Sequence, residues 1–171
     1  MVDATDRWAG LRLALGRRNY RLFVAGQLVS LIGTFTQSIA QSWLVYRLTG
    51  SAFWLGVASF CQQAPSFLFA SLGGVVADRH RRRSILVFTQ SSAMVLAFVL
   101  AILTLSGHVA VAHVLVLAAL LGAVNALDSP TRQAFVPEMV GRENLASAIA
   151  LNTTMVTGAS FIGPAIGGVF V

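Results

Sequence analysis

The sequence predicts an all-α membrane protein with five transmembrane helices. Of its 171 residues, 56% are apolar and 11% are charged, whereas a soluble domain usually carries about 25% charged residues. The charged residues also cluster, which leaves residues 22–46, 48–77, 84–127 and 144–171 with none. Because a spanning helix needs about 20 mainly apolar residues, each stretch is long enough to cross a bilayer. The longest can hold two spans.

The chain divides into a polar start and one hydrophobic unit. Residues 1–21 are predicted to be a cytoplasmic N-terminal segment, and residues 22–171 a partial N-terminal transmembrane helix bundle. The predicted helices run over about 22–46, 52–77, 84–105, 109–128 and 144–171. The break in the longest stretch falls at Ser106-Gly107-His108. Short loops predict that neighbouring helices are antiparallel.

The basic residues predict the orientation in the membrane. All twelve are arginines. Eleven precede the first span or lie in the second and fourth loops, where Arg132 and Arg142 occupy the fourth, and only Arg47 lies in the first loop. The positive-inside rule then places the N-terminus in the cytoplasm. A pI near 11.3 also fits nucleic-acid binding, but no aromatic residue interleaves with the arginines of residues 78–84. The predicted partner is therefore membrane lipid and not nucleic acid.

The first predicted span carries a polar face. Five polar residues follow one another at spacings of 3, 4, 3 and 4, which places them on one side of a helix. Amides are costly in hydrocarbon unless they are paired. The face is therefore predicted either to line a cavity or to bond to neighbouring helices. The cavity-lining candidates, including three on other spans, are Gln27, Ser30, Thr34, Gln37, Gln41, Gln62, Gln63 and Asn152.

Two further patterns stand out. Residues 73–83 form a tight charged hinge between the second and third spans, in which an acid and four arginines follow an apolar helix. In the fifth span, small residues recur every fourth position beside a proline, a pattern that lets another helix approach closely. This candidate packing face consists of Ala159, Gly163, Pro164, Gly167 and Gly168. We expect it to pack against a helix outside this chain.

These two patterns resemble motifs of the major facilitator superfamily. Residues 74–83 resemble its motif A, between the second and third helices, and residues 159–168 its motif C, on the fifth. Residues 19–30 and 43–51 are similar to the bacterial branch of enterobactin and macrolide exporters. Arg81 and Ala159 stand where the motifs commonly have glycine. Since the family has twelve helices in two halves, the resemblance implies an incomplete N-terminal half of a twelve-helix fold.

The resemblance implies a secondary active transporter in the bacterial plasma (inner) membrane. The expected activity is efflux of a small amphiphilic solute, drug or siderophore by alternating access. An antiporter coupled to protons and completed by a missing C-terminal half is one form of this expectation. The alternative is a truncated, non-transporting membrane fragment that acts only by helix packing with a partner. No enzyme activity, catalytic residue, metal or cofactor is predicted.

The resemblance also implies roles for the charged residues. The motif A gating loop comprises Gly74, Asp78, Arg79, Arg82 and Arg83. Asp128, with Arg132, is expected to be the charge-network partner at the inner end of the fourth helix, which gives an Asp78–Arg79/Arg82–Asp128 network. Solvated loop charges worth under about 1 kcal/mol are the alternative. No Asp, Glu, Lys or Arg lies in the middle of a predicted span, so a coupling acid is either Asp128 or outside this chain.

Overall fold

The computed structural model describes residues 18–141 and 145–170, which form five α-helices. They are α1 (Arg18–Thr49), α2 (Ala52–Arg79), α3 (Arg82–Leu105), α4 (Val111–Val140) and α5 (Leu145–Phe170). The all-helical prediction is confirmed for the described residues. The predicted cytoplasmic segment lies outside them, apart from its last residues, which begin α1.

Left-handed glycines end two of the helices. Gly50 has φ 63° and donates its backbone N–H to the Tyr46 carbonyl (2.7 Å) after α1. Gly141 has φ 79° and donates to the Pro137 carbonyl (3.0 Å) after α4. Glycine adopts this conformation without a Cβ penalty, so it caps the last turn.

Four described helices are long and apolar enough to cross a membrane: Tyr20–Thr49, Arg82–Leu105, Val111–Val140 and Leu145–Val169. The remaining helix, α2, has 28 residues but lower hydropathy. The adjacent amides of Gln62 and Gln63 and the imino acid Pro65 lie in its middle. Five spans were predicted, and length with composition supports four of them.

Helix α4 is longer than the apolar stretch that predicted it. The span was expected to end near residue 128, with Arg132 in a loop, but α4 continues to Val140 and contains Arg132. Arg132 forms an ion pair with Asp128 one turn earlier, and the Gln133 amide donates to the Ser129 hydroxyl (3.2 Å). Contacts between positions i and i+4 stabilise a helix, and hydropathy does not register them. The loop placement of Arg132 is therefore wrong, and Arg142 lies outside the described residues.

The chain separates into two compact units. One contains residues 41–135, and its apolar core joins the end of α1, the start of α2, the end of α3 and the start of α4. The buried members of that core are Leu44, Val45, Ala58, Leu100 and Val114. Within this unit consecutive helices therefore run in opposite directions, as their short connections predict.

The other unit contains, among the described residues, 18–40, 136–141 and 145–170. Its core joins the start of α1, the end of α4 and the start of α5 through Tyr20, Val140 and Ala148. Partly buried apolar side chains, among them Phe23 and Met139, pack around these three. Large apolar side chains elsewhere on the surface are exposed, for example Val29 at 72% and Phe161 at 74%, as expected for helices solvated by lipid.

Candidate functional site

The charged hinge connects α2 to α3 through only His80 and Arg81. Asp78 and Arg82 form an ion pair of 4.0 Å, with side chains 78% and 32% exposed respectively. The Arg82 guanidinium also donates a hydrogen bond to the Ala134 carbonyl on α4 (3.2 Å). Arg82 therefore connects the hinge to the extended end of α4.

The other residues predicted for this loop are placed differently. Arg79 and Arg83 are exposed, and Gly74 is half-buried with no atom near the position of a Cβ. Its neighbour Gly73 is buried, and a Cβ there would meet the Ala126 carbonyl on α4. The close approach of α2 to α4 beside this loop therefore depends on Gly73. This residue comes directly before residues 74–83, which resemble the motif.

Asp128 lies buried between α3 and α4, with 7% of the residue exposed. The Thr89 hydroxyl donates to its Oδ1 (2.7 Å), and the Arg132 guanidinium donates to its Oδ2. Thr89 itself is 1% exposed. A buried carboxylate is costly unless its oxygens are paired, and here both oxygens have a partner.

The residues predicted to form the charge network lie in two local clusters. One is Asp78 with Arg82, and the other is Asp128 with Thr89 and Arg132. Both contact α4, because Arg82 reaches Ala134 within two turns of Asp128. A single network joining Asp78 to Asp128 stays a prediction.

The polar face of α1 is not uniformly placed. Gln27 is 7% exposed and Gln41 is 9% exposed, whereas Thr34 is exposed and donates its hydroxyl to the Ser30 carbonyl (2.9 Å). The Nε2 of Gln27 has no hydrogen-bond partner among the described residues. Ser30 and Gln37 are half-buried. The face thus combines buried amides at its ends with an exposed middle.

The candidates on the other helices are also mixed. Gln62 is half-buried, and Gln63 and Asn152 are exposed. The backbone carbonyl of Gln62, rather than its amide, faces Gly122 on α4, where a Cβ would meet it. Ser66 donates its hydroxyl to the Gly122 carbonyl (2.7 Å). This part of α2 therefore packs on α4.

The small-residue face of α5 packs on α1. A Cβ at Gly163 would meet the Phe35 Cβ and would lie 3.0 Å from the Ile32 carbonyl, and one at Gly167 would lie 3.2 Å from the Thr36 carbonyl. The Thr36 hydroxyl donates to the Gly163 carbonyl (3.1 Å). Ala159 is fully buried, Pro164 is half-buried, and Gly168 is exposed.

This contact corrects one expectation. The small-residue face was expected to need a helix outside this chain, but its glycines meet residues 32–39 of the same chain. Helices α1 and α5 run parallel in this contact, since residue numbers rise together on both.

Sequence reasoning missed several of these contact residues. Gly122 lies among apolar neighbours, and Thr36 and Thr89 lie next to other polar residues, Gln37 and Gln90, without the repeated spacing that marks the fifth span. A weak signal existed for Thr89, because it begins a run of four polar residues, 89–92, in α3. No comparable signal existed for Thr36, which lies beside the predicted polar face rather than on it.

Two residues at the opposite ends of the helices have local partners. Arg47, which was predicted to lie in the first loop, lies in the last turn of α1 instead and stacks on the Trp43 ring at 5.0 Å from its centroid. The His113 Nδ1 accepts a hydrogen bond from the Ala110 N–H (3.2 Å) at the start of α4. No group of three or more His, Cys, Asp or Glu that could hold a metal occurs within the described ranges.

One family of known proteins matches nearly the whole chain. Residues 7–171 match the family described as transmembrane secretion effectors. The chain is 27% identical over 150 residues to the staphyloferrin A transporter of Staphylococcus aureus, covering 87% of this chain and 38% of that protein. It is 28% identical over 145 residues to macrolide efflux protein A of Streptococcus pyogenes, covering 83% and 35%. No solved structure matches the chain.

A third relative is the enterobactin exporter EntS of Salmonella choleraesuis, at 23% identity over 150 residues, covering 88% of this chain and 36% of the exporter. The chain thus spans little more than a third of the length of these relatives, which are transporters rather than enzymes. The apolar helices and these relatives together indicate a multi-pass membrane protein. The chain belongs to the transmembrane secretion effector family of the major facilitator superfamily.

Proposed function

We propose that this chain forms the amino-terminal part of a secondary active transporter that exports a small amphiphilic solute by alternating access. The match of residues 7–171 to the transmembrane secretion effectors carries this proposal. The relatives are named for staphyloferrin A, macrolides and enterobactin. A drug or a siderophore is therefore the proposed class of substrate.

The proposed location is the bacterial inner membrane, with the N-terminus in the cytoplasm. Eleven of the twelve arginines then lie on the cytoplasmic side, as the positive-inside rule expects. This topology needs α2 to cross as well. Its 28 residues extend about 42 Å at 1.5 Å per residue, and α4 packs against its polar middle through Gly122 and Ser66.

The proposed substrate path follows the polar face of α1. Its half-buried and exposed members Ser30, Thr34 and Gln37 supply hydroxyl and amide groups that can bond a polar solute. The rest of the transporter would provide the opposite wall of the cavity, because alternating access moves one half against the other.

Protons are the proposed coupling ion, and we place their carrier outside Asp128. Both Asp128 oxygens accept hydrogen bonds, from Thr89 and from Arg132. These contacts suit a residue that holds one conformation of a gate.

The small share of each relative that this chain covers favours a second candidate function. Because the chain spans little more than a third of their length, the second candidate is a segment that packs in the membrane against a partner and does not transport by itself. Alternating access moves two halves against each other, so these 171 residues alone would not supply it.

An export assay separates the two candidates. A bacterial strain without its own exporters is loaded with a panel of macrolides and siderophores. It expresses either the 171-residue chain alone or the chain together with the remaining two-thirds of a relative. Export only in the second case supports the proposed transporter. Export by the chain alone contradicts the need for a second half, and no export of any panel member in either case contradicts the transport proposal.

Cysteine labelling tests the proposed path. Cys61 is first replaced by alanine, and single cysteines then replace Ser30, Thr34 or Gln37. Water-soluble reagents should label all three faster than a cysteine at Val29, which is 72% exposed and is expected to face lipid. Equal protection at all four positions would contradict a water-filled path along α1.

A further inference from the structure

The arginines of the hinge are divided between two environments. Arg82 faces the protein, where it meets Asp78 and the Ala134 carbonyl. Arg79, Arg81 and Arg83 are exposed, and their guanidinium groups have no ion pair or hydrogen bond to any residue within 18–141 or 145–170. Among the described residues, three cations without an ion pair therefore lie within five positions of one another.

The helices that carry these cations are apolar on their exposed surface next to the hinge. Leu72 is 57% and Val75 is 50% exposed on α2, and Val87 is 59% and Phe88 is 62% exposed on α3. These four side chains lie within one to two turns of the arginines on either side of the hinge. The surface thus combines three exposed cations with apolar side chains close to them in the sequence.

We propose that Arg79, Arg81 and Arg83 form a binding surface for the phosphodiester headgroup of an anionic phospholipid, whose acyl chains lie along the apolar flank. Guanidinium groups bind phosphate oxygens through paired N–H donors. Juxtamembrane arginines also attract anionic lipid surfaces. A lipid satisfies both parts of the surface, whereas a free phosphate ion has no counterpart for Leu72, Val75, Val87 and Phe88.

The one acidic residue of the hinge does not cancel this charge. Asp78 is paired with Arg82, so removal of both charges would leave the net charge of the hinge unchanged. This pair supplies a charge-matched control. Arg47 supplies a second control, because it is an exposed arginine at the end of a different helix, α1, and already stacks on Trp43.

Native mass spectrometry of the 171-residue chain in detergent micelles tests the proposal. The probes are dioleoyl phosphatidylglycerol and dioleoyl phosphatidylcholine, which share acyl chains and differ in net charge. The wild-type chain should bind phosphatidylglycerol more tightly. In the R79Q/R81Q/R83Q variant this preference should fall at least about tenfold, since each arginine near a membrane surface contributes roughly a fivefold factor. The D78N/R82Q and R47Q variants should keep the preference.

Several results would overturn the proposal. They are an equal affinity of the wild-type chain for both lipids, an unchanged preference in the triple variant, and a displacement of phosphatidylglycerol by inorganic phosphate that exceeds the displacement by sodium chloride at the same ionic strength. If the triple variant does not fold, a salt series on the wild-type chain decides instead. The preference must weaken as salt screens the exposed charges, and a preference that does not respond to salt contradicts the assignment.

Discussion

The two units of the chain use glycine in different ways to bring helices together. In residues 41–135, Gly73 on α2 faces a carbonyl of α4, and Gly122 on α4 faces a carbonyl of α2. In the other unit, both close glycines are on α5, and they face Phe35, Thr36 and their neighbours on α1. The first contact is reciprocal and backbone to backbone, whereas the second is one-sided and includes side chains. We expect the first to tolerate added atoms least, because backbone cannot rotate away.

The largest effect is expected at Gly73. Gly73→Ala places a Cβ against the Ala126 carbonyl and 3.3 Å from the Pro130 side chain. Overpacking of this kind costs about 2–3 kcal/mol. The adjacent Gly74→Ala variant is the matched control, because nothing lies within 4 Å of its Cβ position. Thermal denaturation of the chain in detergent measures both, and an equal loss of stability in the two variants would contradict the reciprocal contact.

Asp128→Asn should have the next largest effect in the same unit. The substitution removes the charge that Arg132 binds and changes the acceptor of the Thr89 hydroxyl. Loss of this partly buried charge pair is expected to lower the free energy of unfolding by about 2 kcal/mol. The cost is smaller than for a fully buried pair because 21% of the Arg132 side chain is exposed.

The matched control for Asp128→Asn is Asp78→Asn, whose ion pair is exposed. Its cost should stay below about 1 kcal/mol. Denaturation of both variants in parallel measures the difference. A larger loss of stability for Asp78→Asn would show that the exposed hinge pair contributes more to the free energy of unfolding than the buried cluster.

Gly163→Ala should have an intermediate effect on the α1–α5 contact. The new Cβ would meet the Phe35 Cβ, which is fixed to the α1 backbone, and would come within 3.1 Å of the Thr36 N. A small displacement of α5 relieves this overlap, so the expected cost is about 1–2 kcal/mol. Thr36→Val, which removes only the hydroxyl donor to Gly163, should cost about 1 kcal/mol. A larger loss of stability for Gly163→Ala than for Gly73→Ala would contradict the expected order of the two contacts.

The smallest effect is expected at Gly167. Its Cβ would lie 3.2 Å from both the Ile39 Cβ and the Thr36 carbonyl, a tight contact that a shift of a few tenths of an ångström relieves. Gly167→Ala should therefore lower the free energy of unfolding by less than about 1 kcal/mol, because the higher helix propensity of alanine partly offsets the cost of the tight contact. Gly168→Ala has open space and should be neutral or stabilising. A thermal midpoint lower for Gly168→Ala than for Gly167→Ala would contradict this assignment of faces.

The helical class and the hinge could be predicted from sequence because long apolar stretches and clustered arginines are strong signals. The small-residue face of α5 was also recognised, since its spacing repeats. Its partner was not, because nothing in residues 32–39 marks them as the surface that meets glycine. The extension of α4 to Val140 escaped prediction because the pair of Asp128 and Arg132 acts through geometry and not through hydropathy. Gly122 was missed as a contact residue because a single glycine in an apolar segment has no distinguishing pattern, and Gly73 was missed because the motif includes only its neighbour Gly74.

Accessibility of single cysteines in intact cells tests most directly the claim that these helices cross a membrane with the arginine-rich hinge inside. Cys61 is replaced by alanine, and one cysteine is introduced at Arg81 in the hinge or at His108 between α3 and α4. An impermeant maleimide should label position 108 in intact cells and position 81 only after permeabilisation. Labelling of position 81 from outside intact cells, with position 108 protected, would contradict the proposed topology and the transporter built on it.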